Sequence, residues 1–197
     1  MLVLRRAQLE QELEEHKNKL LEVEARLSYI EREGTMPADD VTVKKIPAMG
    51  VVAIAGTAPA FGAANVVPVV NRSRLQFDEL AIPDLVKVTG PFMIFYEHGE
   101  GEITVCLALP VAEPPAELPA PAQYLELPEV EVVAAVRSGR AASIFPMVYQ
   151  DLFRWAEAHG FQAHAPGREI WVNEVDDLAE IEQQVFEVQL PFTRPEP

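Results

Sequence analysis

The five residues REIWV, 168–172, set a carboxylate inside an apolar, strand-like run. Alternate side chains of a strand share a face, so Glu169 and Trp171 point the same way. A carboxylate taken out of water is costly unless a positive group meets it, and aromatic faces attract cations. Just upstream, Phe145, Val148, Tyr149, Leu152 and Ala156 fall on one face of a helix that Gly160 ends. From that helix Tyr149 and Phe145 can close over the strand. The set reads as an aromatic pocket with one carboxylate near its floor, waiting for a cationic ligand. Two structural alternatives stand beside it. Glu169 pairs with Arg168, Arg154 or Arg140, or Tyr149 and Trp155 are simply core.

The elements that must position these residues come from a duplication. VKKIPAMGVVAIAG at 43–56 resembles YLELPEVEVVAAVR at 124–137, and CLALPV at 106–111 resembles EVQLPF at 187–192, both at an offset of 81. NVVPVVNRSRLQF at 65–77 matches SIFPMVYQDLFRW at 143–155, and FMIFYE at 92–97 matches IWVNEV at 170–175, both at 78. Asn65 and Ser143 serve as N-caps, with Pro68 and Pro146 in the first turns. Each half, 41–111 and 122–192, therefore reads strand, helix, strand, strand. The expected fold is α+β, with a mostly antiparallel sheet and pseudo-two-fold symmetry. The offset of 78 sets Trp171 against Met93 and Asn173 against Phe95. A cleft shared by the halves is then expected to take Met93 and Phe95 from the first half and Glu169 and Trp171 from the second.

Ahead of the duplication, residues 1–34 read as one helix. Leu9, Leu13, Leu20, Val23, Leu27 and Ile30 follow a/d heptad spacing, and Gly34 ends the run. A rod of roughly 45–50 Å cannot bury that stripe against itself, so a coiled-coil homodimer is expected. Residues 35–40 form a linker to the domain of 41–197.

The formal charge is −15, a surface that repels phosphate backbones. The longest apolar runs are too short to span a bilayer, and the single cysteine, Cys106, fits a cytoplasmic location with no internal disulfide. The four histidines show no metal-ligand spacing, and HGEGE at 98–102 reads as a hairpin turn. No metal or cofactor is expected.

YQDLFRWAEAHGFQAHAPGREIWV resembles the Tyr-x-x-Leu-x-x-Trp…Gly-Phe/Tyr…Glu-x-Tyr/Trp stretch of the GyrI-like effector-binding domain. GPFMIFYEHGEGEITVCLALPV resembles its first-half counterpart, and VFEVQLPF its final strand. The heptad helix resembles the dimerisation helix of MerR-family regulators. The resemblance implies a drug- or metabolite-sensing part of a MerR-type transcription regulator, not an enzyme, with Glu169 at the position of the ligand-binding glutamate. It implies a small cationic or amphipathic ligand, and contact with DNA only through a winged helix-turn-helix absent from this chain. The first strand, VVAIAG, lacks the aromatics of multidrug-sensing members. A GyrI-like hydrolase using the cleft glutamate is the alternative, and a protein-binding inhibitor module the third.

Deleting residues 1–33 is expected to turn a dimer into a folded monomer, because the leucine seam holds the dimer and the duplicated domain has its own core. Sedimentation at micromolar concentration checks this, and a deletion variant that stays dimeric contradicts it.

Overall fold

The structure, a computed structural model, describes residues 41–98, 101–138, 141–164, 167–173 and 184–194, all within one compact unit, Pro37–Pro197. The heptad helix of 1–34 and the linker of 35–40 lie outside the described residues.

Nine strands and three helices are described. They run β1 (Val41–Ile46), β2 (Met49–Ala58), α1 (Ala63–Glu79), α2 (Ile82–Leu85), β3 (Met93–His98), β4 (Ile103–Val111), β5 (Gln123–Leu127), β6 (Val130–Ser138), α3 (Ala141–Ala158), β7 (Gln162–Ala163), β8 (Arg168–Trp171) and β9 (Val185–Thr193). The strands form one sheet in the order β1-β6-β9-β8-β3-β4-β2-β5, with β7 beside β9. Every pairing is antiparallel. The order is the same read from either edge if one half is exchanged for the other. The pseudo-two-fold axis therefore falls between β3 and β8.

Each half carries one long strand more than the expected strand, helix, strand, strand, and the second half also has the two-residue β7. Pro47 and Pro128 divide the apolar runs at 43–56 and 124–137, because proline cannot donate to a ladder. The piece before each proline crosses to the other half. β1 pairs with β6, from Val41 opposite Ala135 to Ile46 opposite Val130, and β5 pairs with β2. The halves are thus joined at both edges as well as at the centre.

The two long helices, α1 and α3, lie on one face of the sheet. Val66, Val69, Val70, Ser73 and Phe77 form the buried stripe of α1 and pack on Val52, Ile54, Ile94, Val105 and Leu107. α3 packs on β6 and β9 and buries Val148, Leu152 and Ala156. α1 starts at Ala63, after Gly62, so Asn65 is inside the helix rather than its cap. α3 starts at Ala141, so Ser143 is also inside. The N–H of Phe161 bonds the carbonyl of Ala156 and that of Gly160 bonds Glu157, the double closure that a left-handed glycine allows, and Gly160 has φ 73°.

The opposite face is buried too. Val51, Ala53, Met93, Phe95, Cys106 and Ala108 form a second apolar cluster there, with Ile170 packed against it. Cys106 is 2 % exposed, and burial with Glu97 nearby pushes its thiol up to about 12, so it is an inert core group.

Because each half lends an edge strand to the other, polypeptides 41–111 and 122–194 are expected to be largely unfolded alone and to form a sheet when mixed. Circular dichroism checks this; a cooperative melt of either half by itself contradicts it.

Candidate functional site

β8 lies at the centre of the sheet, between β3 and β9. Its register places Glu169 opposite Ile94 on one side and Val188 on the other. Directly opposed residues share a face, so Glu169 is on the face that carries the helices. Phe92, Ile94 and Tyr96 of the β3 segment and Gly167 and Trp171 of the β8 segment share that face. Met93 pairs with Ile170 and Phe95 with Arg168, both in the second cluster's face. Met93 and Phe95 therefore do not line a cleft with Glu169, as the repeat leads one to expect. Because side chains alternate, an even offset that equates Met93 with Trp171 is one residue out of register. Their neighbours Phe92, Ile94 and Tyr96 take their place.

Glu169 is 3 % exposed. Its Oε1 accepts the hydroxyl of Tyr96 at 3.0 Å and that of Tyr149 at 3.3 Å. Its Oε2 is buried and has no hydrogen-bond partner. None of the three arginines proposed from sequence supplies one among the described residues. Arg168 points to the opposite face, Arg154 lies 4.0 Å from Asp151, and Arg140 is not described.

Burial raises the Glu169 pKa from its ordinary 4.5, the two tyrosine hydroxyls lower it, and burial wins, leaving it at about 8. Burial and the adjacent carboxylate also hold Tyr96 and Tyr149 well above the usual phenol range, so both remain donors. Since Oε1 already accepts two hydrogen bonds, the acid form carries its proton on Oε2. The folded protein keeps this proton where the unfolded chain has given it up, between about pH 4.5 and 8. This group therefore costs nothing below that window and destabilises the fold progressively as pH rises through it.

Gly167 makes the tyrosine contact possible. A Cβ at this position would stand 2.8 Å from the Tyr149 ring and 2.4 Å from the backbone oxygen of Gln189, closer than any side chain tolerates. Its neighbourhood explains why glycine precedes Arg168 and Glu169 in the chain.

An aromatic series crosses the axis beside the acid. Phe77, Phe92, Trp171, Phe186 and Phe145 meet in succession at centroid distances of 5.1, 6.1, 6.5 and 4.9 Å. Arg74 lies over Phe92 at 4.3 Å, and half-exposed Phe61 meets Tyr96 edge-on at 5.3 Å. Four of the residues singled out from sequence, Glu169, Trp171, Tyr149 and Phe145, are thus gathered on one face. Tyr96, Phe92 and Gly167 were missed. Alternation along β3, counted from a correct register, is the signal that finds Tyr96. The buried carboxylate, two fixed phenols and aromatic walls can hold an organic cation or move a proton at Oε2. Among the described residues no group of three or more His, Cys, Asp or Glu is placed to hold a metal, and no helix is long and apolar enough to cross a membrane.

No family model and no curated protein sequence matches the chain. Solved structures do. The EcmrR C-terminal domain is 16% identical, with a TM-score of 0.63 over 79% of this chain and 98% of that one. EcmrR in its DNA complex is 14% identical, with a TM-score of 0.63 over 94% of this chain and 70% of that one. SAV2435 bound to tetraphenylphosphonium is 12% identical, with a TM-score of 0.55 over 78% and 93%. A hydrolase from Listeria innocua is 11% identical, with a TM-score of 0.53 over 83% and 96%. The fold of this chain is therefore that of the EcmrR C-terminal domain.

Proposed function

We propose that this chain is the effector-sensing and dimerisation part of a MerR-type transcription regulator, that its ligand is a small organic cation, and that it is not an enzyme. The observation that carries the reading is the Glu169 carboxylate, almost wholly buried, with two phenols on one oxygen and nothing on the other. A structural acid has its partners in place, whereas this one keeps an unmet acceptor among aromatic rings. A cation there replaces the Oε2 proton, gains the adjacent π faces and leaves the two tyrosine hydrogen bonds intact. The likeness to SAV2435, whose structure holds tetraphenylphosphonium, supports a cationic ligand, and the likeness to EcmrR, whose structure includes DNA, supports a regulator. With a charge of −15, contact with DNA is assigned to a separate winged helix-turn-helix and not to this chain.

One observation favours a second reading. A carboxyl held at about 8 is well matched to general-base work near neutrality, and a hydrolase shares the fold. In that reading Glu169→Gln still binds substrate and loses turnover.

The test uses trimethyl(4-phenylbutyl)ammonium and its neutral isostere, in which carbon replaces the ammonium nitrogen. Glu169→Gln keeps the shape of the side chain and removes its charge. It is expected to weaken the cation on the order of thirtyfold to a thousandfold and the isostere hardly at all. Without ligand, the thermal midpoint of the variant should equal that of the wild type near pH 4 and exceed it by a growing margin as the pH rises to 8, because the folded wild type must keep a proton that its unfolded chain has given up. Equal loss for both ligands, or a lower midpoint at every pH, marks Glu169 as a structural residue and defeats the proposal.

A further inference from the structure

Glu169 Oε2 is not the only unmet group on this face of β8. Two residues on, the Trp171 indole N–H is also buried and has no acceptor. The ring is held between Phe92 and Phe186, at 6.1 and 6.5 Å, so it cannot turn its N–H out to water without breaking that packing. The backbone is fixed as well: the Trp171 N–H bonds the Phe92 carbonyl at 2.9 Å, and Val172 bonds Val185. Buried indole N–H groups ordinarily find an acceptor, and one that does not calls for a reason. Trp155 lacks one too, but at the far end of α3, where His159 stacks on it at 3.7 Å and, among the described residues, no second unmet group accompanies it.

We infer that Trp171 is the second anchor of the Glu169 site, donating its indole N–H to an acceptor oxygen carried by the bound cation. The inference rests on the reading of Glu169 as the partner of a cation and narrows the ligand class: an organic cation with a carbonyl oxygen a few bonds from the charge. Strand geometry sets the spacing, since the Cα atoms of residues two apart stand ~6.6 Å from each other. The two anchors are complementary in kind. Glu169 offers only an acceptor once its proton has left, and an indole offers only a donor. A ligand with a charge but no acceptor satisfies one anchor and leaves the other orphaned. A neutral carbonyl compound satisfies the other and forgoes the carboxylate. A cation that carries both satisfies the site.

The experiment compares trimethyl(4-phenylbutyl)ammonium with its 4-oxo derivative, which has a ketone beside the phenyl ring and is otherwise the same. Wild-type protein should bind the ketone about five- to tenfold more tightly, the worth of one neutral hydrogen bond. In Trp171→Phe the ratio should fall to about one, whatever the change in affinity common to both cations. In ¹⁵N-labelled wild-type protein the Trp171 indole resonance should move downfield with the ketone and not with its parent, and the Trp155 resonance should stay in place. This second measurement decides the matter if Trp171→Phe does not fold. A wild-type ratio near one, a preference that survives in Trp171→Phe, or an indole resonance that the ketone does not move overturns the second anchor. If Glu169→Gln still weakens both cations, the carboxylate reading stands alone. Failure of both cations to bind wild-type protein overturns both readings.

Discussion

A carboxylate removed from water at the centre of a sheet is the constraint around which this domain is arranged. Glu169 is tolerated there because it is neutral over most of the physiological range and because two phenols hold one of its oxygens. Neither phenol can replace the other. Tyr96 comes from the neighbouring strand and Tyr149 from the helix above, so the acid is fixed from two directions. That leaves Oε2 as the carboxyl oxygen without a partner. A carboxylic acid held neutral in this way costs the fold less than a permanent buried charge.

The sheet supplies the rigidity this requires. The pseudo-two-fold axis places β3 and β8 side by side at the centre, each flanked by a strand of its own half. The exchanged edge strands, β1 on β6 and β5 on β2, tie the halves together far from the axis. The helices cover the same face on either side and leave the axis region to Glu169, Trp171 and the aromatic series. The symmetry is of backbone rather than of chemistry. The acid and the indole both come from β8, whereas β3 contributes Ile94 and Tyr96 to that face. A symmetric scaffold thus carries an asymmetric site.

Much of this was legible in the sequence. The duplication, the two helices, the final strands and the pairing of Glu169 with Trp171 all follow from spacing alone. The edge strands were hidden because Pro47 and Pro128 sit inside apolar runs that look continuous, and only the crossing of chains between halves shows that each run is two strands. Tyr96 was hidden by parity. Insertions between repeats change offsets by single residues, and in a strand a single residue exchanges the faces, so Met93 and Phe95 seemed to stand where Phe92, Ile94 and Tyr96 do. The helix starts differed for a simpler reason. Asn65 is a favourable cap by type, but Gly62, with φ 116°, begins the helix a turn earlier.

The central claim is that a cation displaces a proton from a buried, neutral Glu169. Isothermal titration calorimetry of trimethyl(4-phenylbutyl)ammonium in two buffers of different ionisation enthalpy measures it directly. With the pKa at about 8, binding at pH 7 should release close to one proton, and release should decline toward zero as the pH rises past 9. Affinity should climb nearly tenfold per pH unit below 8 and level off above it, and Glu169→Gln should release no proton at any pH. Binding enthalpies that do not depend on the buffer at pH 7, with an affinity flat from pH 6 to 9, would show that Glu169 is already charged or not involved, and would contradict the account.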